Sequence, residues 1–289
     1  MNPLFEFWPF VGKVLLTTLF QLLSIFGVFI VFGVILYLLA RYTRRLFVNI
    51  LGEKSDIYFT GWIGTPIHEL GHALLCIPFL HRITEIRLYQ PNSDDGTLGY
   101  VNHAYNPHNP WAQIGNFFIA LGPILFGSLI IYLMVRFLLP DNQVLLSALH
   151  GSSANFTTLS GFIAMIINTF RSSVDMILAL FTAAHLHQWQ FWVFLYLAIC
   201  ISAHMELSPP DLKGLGMGLI SIIVILLVIN IILILINVDA MVIGTAVGHW
   251  TGLTTGIFTL AVAISAMTCF LSFIILNIIS LIINKRFFF

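Results

Sequence analysis

Residues 68–72 read His-Glu-Leu-Gly-His. On a helix, side chains four apart share a face, so the imidazoles of His68 and His72 can hold one cation between them. Glu69 lies one residue further round, within reach of a water on that cation. Two neutral imidazoles beside a carboxylate supply two metal ligands and a general base, which is the kit for metal-assisted hydrolysis. From Ile57 to His81, Glu69 is the sole Asp, Glu, Lys or Arg. Carboxylates in such apolar segments are expensive and mark functional sites in membranes. The pattern points to a zinc hydrolase centre built inside a bilayer. The competing reading, two histidines packed in a polar seam between helices, leaves three clustered polar groups without a purpose.

Zinc takes a third protein ligand, and a catalytic site leaves the fourth position to water. The best downstream candidate in apolar surroundings is Asp211, in the run Ser208-Pro209-Pro210-Asp211. The two prolines end the preceding helix, because neither donates a backbone hydrogen bond. Asp211 then opens the next helix, where the positive dipole end favours a carboxylate. Two readings stay open for it: a ligand at a broken helix lining a polar cavity, or an N-cap at the membrane surface.

The elements that must position these residues are written in the composition. The chain has 289 residues, 59% of them hydrophobic and only 8% charged, against about 25% charged in soluble domains. Twelve basic and twelve acidic residues leave no net charge, so no nucleic-acid partner is expected. Long uncharged runs between isolated charges predict a mainly α, polytopic helical bundle in a lipid bilayer. Spans are expected at about 14–40, 57–80, 112–138, 189–205, 214–237 and 257–284, six in all. The first is read as a retained anchor rather than a cleaved signal, since it is long and is followed by Arg41, Arg44 and Arg45. Pro66 is expected to kink the motif helix. Between spans three and four, the apolar stretches 156–170 and 174–186 are each short for a crossing and read as re-entrant or interfacial. They are split by Arg171-Ser172-Ser173. Residues 244–256 read as a glycine-rich connector.

Orientation is in conflict with this count. Arg41, Arg44 and Arg45 place one end inside by the positive-inside rule, and Lys285-Arg286 place the C-terminus there too. Both hold only for an even number of spans after the first, whereas five are counted. The error is expected within 141–188.

One segment has the period of strands. Ile83 to Tyr89 alternates apolar and polar residues, a polar loop containing Asp94, Asp95 and Gly96 follows, and Thr97 to Val101 resumes the alternation. A β-hairpin over 83–101 is predicted, directly after the motif helix. Cys76, Cys200 and Cys269 lie in apolar segments with no metal-knuckle or disulfide spacing. His103 and His108 read as interfacial polar residues, with facing the site as the alternative, His185 and His187 as an interface cluster with Trp189 and Trp192, and Lys213 as a snorkelling side chain, with neutralising Asp211 as the alternative. Nothing is assigned to His150 or His249.

His68, Glu69 and His72 with the distant Pro209-Pro210-Asp211 resemble the intramembrane metalloproteases of the site-2 protease type, the M50 peptidases. The resemblance covers residues 57–237, the expected core of a single integral-membrane domain with flanking helices 14–40 and 257–284. It implies Zn2+ bound by His68, His72 and Asp211, with Glu69 as catalytic base. The implied partner is a membrane-protein substrate cleaved in or beside the bilayer. Gly122-Pro123 resembles a turn of that family. Here Leu212 and Lys213 separate Asp211 from the glycine that usually follows it, and the usual Asn upstream of the prolines is missing. His204 and Glu206 are therefore fallback ligands. Asn116 and His204 are candidates for holding the transition state or the substrate. A Ste24-like membrane zinc peptidase, with Glu206 as third ligand, is the rival enzyme class, and a zinc-binding scaffold or carrier the non-enzymatic alternative. The expected location is integral to a bacterial plasma membrane, multi-pass.

Overall fold

The computed structural model describes residues 3–52, 54, 57–93, 96–140, 142–148, 159–238 and 241–284. Asp94, Asp95, Asp141, His150, Asp239, Lys285 and Arg286 lie outside the described residues.

Apolar runs fold as helices because, without water, every backbone group must bond within its own segment. Helix α1 runs Pro3–Leu51. A single π-helical turn, Ile57–Gly61, leads into α2, Trp62–Cys76, which carries the motif. The strands β1, Arg82–Arg87, and β2, Tyr100–Ala104, follow. Then come α3, Pro110–Ala120, α4, Gly122–Leu138, and the short α5, Gln143–Ala148. Next are α6, Leu159–Leu180, the single turn α7, Ala183–Leu186, and α8, Trp189–Ala203. Two long helices close the chain: α9, Pro209–Leu235, and α10, Met241–Asn284.

The helical bundle with one small hairpin is as predicted, but the spans are counted differently. Among the described residues four helices are long and apolar enough to cross a membrane, and five spans result if the bent pair α3–α4 is one. Six were expected. The motif segment is one reason: α2 has 15 residues, about 22 Å of helix against a hydrocarbon core of about 30 Å. It runs unbroken through Pro66, and the irregular turn lies ahead of it at Ile57–Gly61. The stretch 112–138 is not one straight helix but two, bent by 57° at Leu121.

Two segments are more helical than expected. The stretches on either side of Arg171-Ser172-Ser173 form one helix, α6. Arg171 is exposed, so its charge interrupts the apolar sequence without interrupting the helix. The expected connector 244–256 is part of α10. Its glycines, 244, 248, 252 and 256, recur every four residues, which is a helix stripe rather than a linker composition. With α6 counted and α3–α4 taken as one, four spans follow α1, an even number.

The main core gathers large side chains from most helices, among them Phe32 and Leu36 of α1, Phe117 of α3, Ile131 of α4 and Phe194 of α8. Helices also meet backbone to backbone. A Cβ on Gly71 or on Gly122 would collide with the other's backbone, so these two glycines let α2 cross the start of α4. Gly218 of α9 rests on Phe117 of α3 in the same way. Inside the bundle, the Asn230 amide on α9 donates to Thr18 Oγ1 and Gln21 Oε1 of α1, both at 2.8 Å. Such a polar tie is favoured where no water can compete.

The hairpin is antiparallel, pairing Arg87 with Tyr100 and Arg82 with Ala104, with a bulge at Thr84. β1 ends two residues earlier than the sequence suggested and β2 lies three residues later. Thr97 to Gly99 lie outside the ladder, although the Gln90 N–H still donates to the Leu98 carbonyl at 2.7 Å.

Candidate metal centre

His68 and His72 face one side of α2, and their Nε2 atoms are 3.3 Å apart. Asp211 comes from the start of α9, with Oδ1 at 3.2 Å from His72 Nε2 and Oδ2 at 3.8 Å from His68 Nε2. Ligand atoms of a tetrahedral zinc at about 2.1 Å stand about 3.4 Å from one another. The two imidazole nitrogens, and His72 Nε2 with Asp211 Oδ1, therefore already have the spacing of corners around one ion, and one atom from each of the three residues lies within 4.8 Å of the others. Among the described residues this is the group of His, Cys, Asp and Glu side chains that comes within such reach of one cation.

Each imidazole is held by its other nitrogen. His68 Nδ1 donates to the His204 carbonyl and His72 Nδ1 to the Ile119 carbonyl, both at 2.7 Å. Those bonds place the proton on Nδ1 and leave the Nε2 lone pair facing the shared centre, as metal-binding histidines require. Both carbonyls come from helix ends. His204 is the C-cap of α8, and Ile119 lies in the last turn of α3.

Asp211 is oriented just as firmly. Its Oδ2 accepts from the Ser208 N–H at 2.7 Å and the Ser208 hydroxyl at 2.6 Å. Ser208 is the N-cap of α9 and Asp211 the third helical residue, so the two form a capping box. The reading of Asp211 as the N-cap itself is thereby corrected. Its helix-start role and its approach to the histidines coexist, because Oδ2 takes both Ser208 bonds while Oδ1 lies nearest His72.

Glu69 is buried, 6% exposed, and lies between two cavities. The larger, about 550 Å³, is lined by His68, His72, Asp211, Asn116 and the inner strand β2 through His103. The smaller, about 300 Å³, is lined by Arg44, His204, Glu206 and the stretch Gly96–Gly99. The backbone at Gly99 presses on the acid: a Cβ there would fall 2.9 Å from Glu69 Cγ and 2.9 Å from the Arg87 carbonyl oxygen. A Gly at this position is what allows the strand to approach.

Other expected residues fare unevenly. Asn116 is buried at the wall of the larger cavity, its amide donating to the Gln113 carbonyl of its own helix at 3.3 Å. His204 stands outside the converging group. It supplies its carbonyl to His68, and its ring packs on Gly64 of α2, with Nδ1 at 3.1 Å from the Cys200 carbonyl. Glu206 also stands outside it, its carboxylate 3.7 Å from Arg41 of α1. His103 faces the larger cavity instead of an interface, whereas His108 is exposed. His185 is buried, with Nε2 at 2.9 Å from the Pro140 carbonyl, so the interface cluster reduces to His187 and the exposed tryptophans. Lys213 is exposed. The cysteines are free thiols, Cys76 and Cys200 buried.

The sequence reading missed Ser208 and the two carbonyls. A Ser three residues before an Asp at a helix start is a capping signature and was open to recognition. The carbonyls carry no sequence signal.

Comparison with known proteins found no matching family model, no matching curated protein and no matching solved structure.

Proposed function

We propose that this chain is a zinc-dependent endopeptidase that cleaves polypeptide within or beside a membrane. One observation carries the reading: the two Nε2 atoms and the Asp211 carboxylate converge while every other polar atom of those three side chains is tied to the protein. The donor set fits zinc, being two neutral imidazoles and one carboxylate with a fourth side open to a cavity. When bound there, zinc would supply Lewis acidity, making water a nucleophile near neutral pH and polarising the scissile carbonyl.

The chain's own groups do the rest. Glu69 takes the proton of the attacking water and returns it to the leaving amine. Asn116, on the wall of the same cavity, is the candidate donor to the developing oxyanion. An intact carboxylate between the two imidazoles favours hydrolysis over a scaffold or carrier, which needs no base. Glu206 stands with Arg41 and outside the converging group, which favours Asp211 over the rival ligand set. Four helices of crossing length favour a substrate that is itself a membrane protein.

The test is cleavage of a panel of single-span membrane proteins by the chain reconstituted in lipid, with products mapped by mass spectrometry. Wild type should cut, and Glu69→Gln should keep its metal while losing turnover by about 10²- to 10⁴-fold. Parallel loss of metal and activity in Glu69→Gln would make Glu69 structural and sink the proposal.

A further inference from the structure

A second histidine pair, distinct from the candidate ligands, places one of its rings on the wall of the larger cavity. His81 follows α2, and His103 lies on β2. Their Nδ1 atoms are 2.9 Å apart. The far nitrogen of His81, Nε2, is 2.8 Å from the Ala112 carbonyl oxygen. His81 is buried and stacks on Tyr105, with centroids 4.5 Å apart. Gly115 leaves room for it, since a Cβ there would fall 3.2 Å from His81 Nε2.

These contacts fix where the protons are. A carbonyl oxygen only accepts, so His81 Nε2 carries a hydrogen. A neutral His81 then offers a lone pair at Nδ1. His103 must donate its Nδ1–H into that lone pair, which leaves His103 Nε2 without a proton. Burial holds both rings below the ordinary histidine value, in keeping with two neutral imidazoles. The pair is a relay of orientation: Ala112 sets His81, and His81 sets His103.

His103 belongs to β2, whose Tyr100, Val101 and Asn102, with Gly99 just ahead of the strand, form one wall of the cavity. A polypeptide lying extended in that cavity presents N–H groups that have lost their helical acceptors, and each one left unmet is costly. We infer that His103 is a substrate-positioning residue whose Nε2 accepts a hydrogen bond from a backbone N–H of the bound polypeptide, and that His81 holds it in the tautomer able to do so. The inference rests on the peptidase reading and adds a determinant outside the metal ligands and the base.

The test uses the full-length chain in lipid with a substrate that wild type cleaves. His103→Leu should raise KM by about three- to tenfold with little change in kcat, since a uniform binding contact is lost. His103→Gln, whose Oε1 can take the place of Nε2, should restore KM. His81→Leu should match His103→Leu, and His81→Asn, which keeps an acceptor near Nδ1, should restore it. N-methylating the substrate residue by residue should reveal one position that weakens wild type but not His103→Leu. Nitrogen-15 spectra of histidine-labelled protein should show His103 protonated at Nδ1 only. Unchanged KM in His103→Leu, or a His103 protonated at Nε2, overturns the inference and leaves the peptidase reading standing. A wild type that cleaves no polypeptide overturns both.

Discussion

The imidazole of His72 donates its Nδ1–H to the carbonyl of Ile119, 2.7 Å away. In a continuous helix that oxygen would take the N–H of residue 123, and residue 123 is proline. The His68 ring meets a parallel case. The helical donor to the His204 carbonyl would be Ser208, whose N–H is turned to Asp211 instead. Two interrupted helices thus supply the acceptors that orient two metal-ligand candidates. Pro123→Ala restores a competing donor, and zinc affinity should fall by about 10- to 100-fold in a chelator competition. Equal affinity in the two proteins would show that the Ile119 bond does not orient His72.

Metal content is the most direct check. Protein purified without chelator should carry about one zinc per chain, as four-coordinate sites with three protein ligands do. The His68→Ala, His72→Ala double variant should carry none, and Asp211→Ala should carry much less. Zinc retained by the double variant would place the metal elsewhere.

Ser208 holds Asp211 by two hydrogen bonds to one oxygen. Ser208→Ala removes the hydroxyl and the cap, at a cost of about 0.5–2 kcal/mol of stability. It should also weaken zinc binding by about tenfold, because the carboxylate is no longer fixed. Thermal unfolding and metal titration read the two effects separately, and a loss of stability alone would confine Ser208 to capping.

The hairpin bears on turnover through Gly99. Gly99→Ala puts a methyl against Glu69 Cγ and the Arg87 carbonyl, so the strand or the acid must move. A displacement of about 1 Å costs up to about 10²-fold in rate, with zinc content unchanged. Val101→Pro tests the strand itself: β2 should then pair poorly with an extended substrate, and cleavage should drop while metal stays bound. Full activity in both variants would reduce the hairpin to a connector.

His81 gives a pH signature. Burial, its first cause, lowers the folded-state pKa below the unfolded value. The neutral form therefore stabilises the fold at pH above the unfolded value, and that contribution is lost as pH falls through the unfolded value towards the folded one. Thermal stability should decline more steeply between about pH 7 and 5 in wild type than in His81→Asn, which has nothing to titrate there. Identical profiles would mean His81 contributes nothing to acid sensitivity.

The sequence disclosed the candidate ligands and the bundle, and the reasons differ. Helical period alone joins His68 to His72, so that pairing is local information. Asp211 is 139 positions from His72, yet a polar residue in apolar surroundings after two prolines is conspicuous. Span boundaries were less legible. Hydropathy does not separate a 15-residue α2 from a full crossing, nor does it reveal the bend at Leu121. Arg171 looked like a break because one-dimensional reading does not know which way a side chain leaves its helix. The cavity-facing place of His103 has no local signal, because its partner His81 lies 22 residues back, across the hairpin.

The brevity of α2 has a mechanical consequence. Its neighbour α8 also has 15 residues, so the two helices that flank the ligands are each about 22 Å long. α8 packs on α1 and α10, both of full crossing length. In a bilayer of about 30 Å, lipid beside α2 and α8 must thin or tilt to match. On the proposed peptidase reading, a client helix that drifted into such a dimple would find headgroup water nearer its midpoint, and its backbone would lose the insulation that keeps it coiled. The shape of the protein would then loosen the client before any residue touched it, and acyl-chain length would become a control on rate.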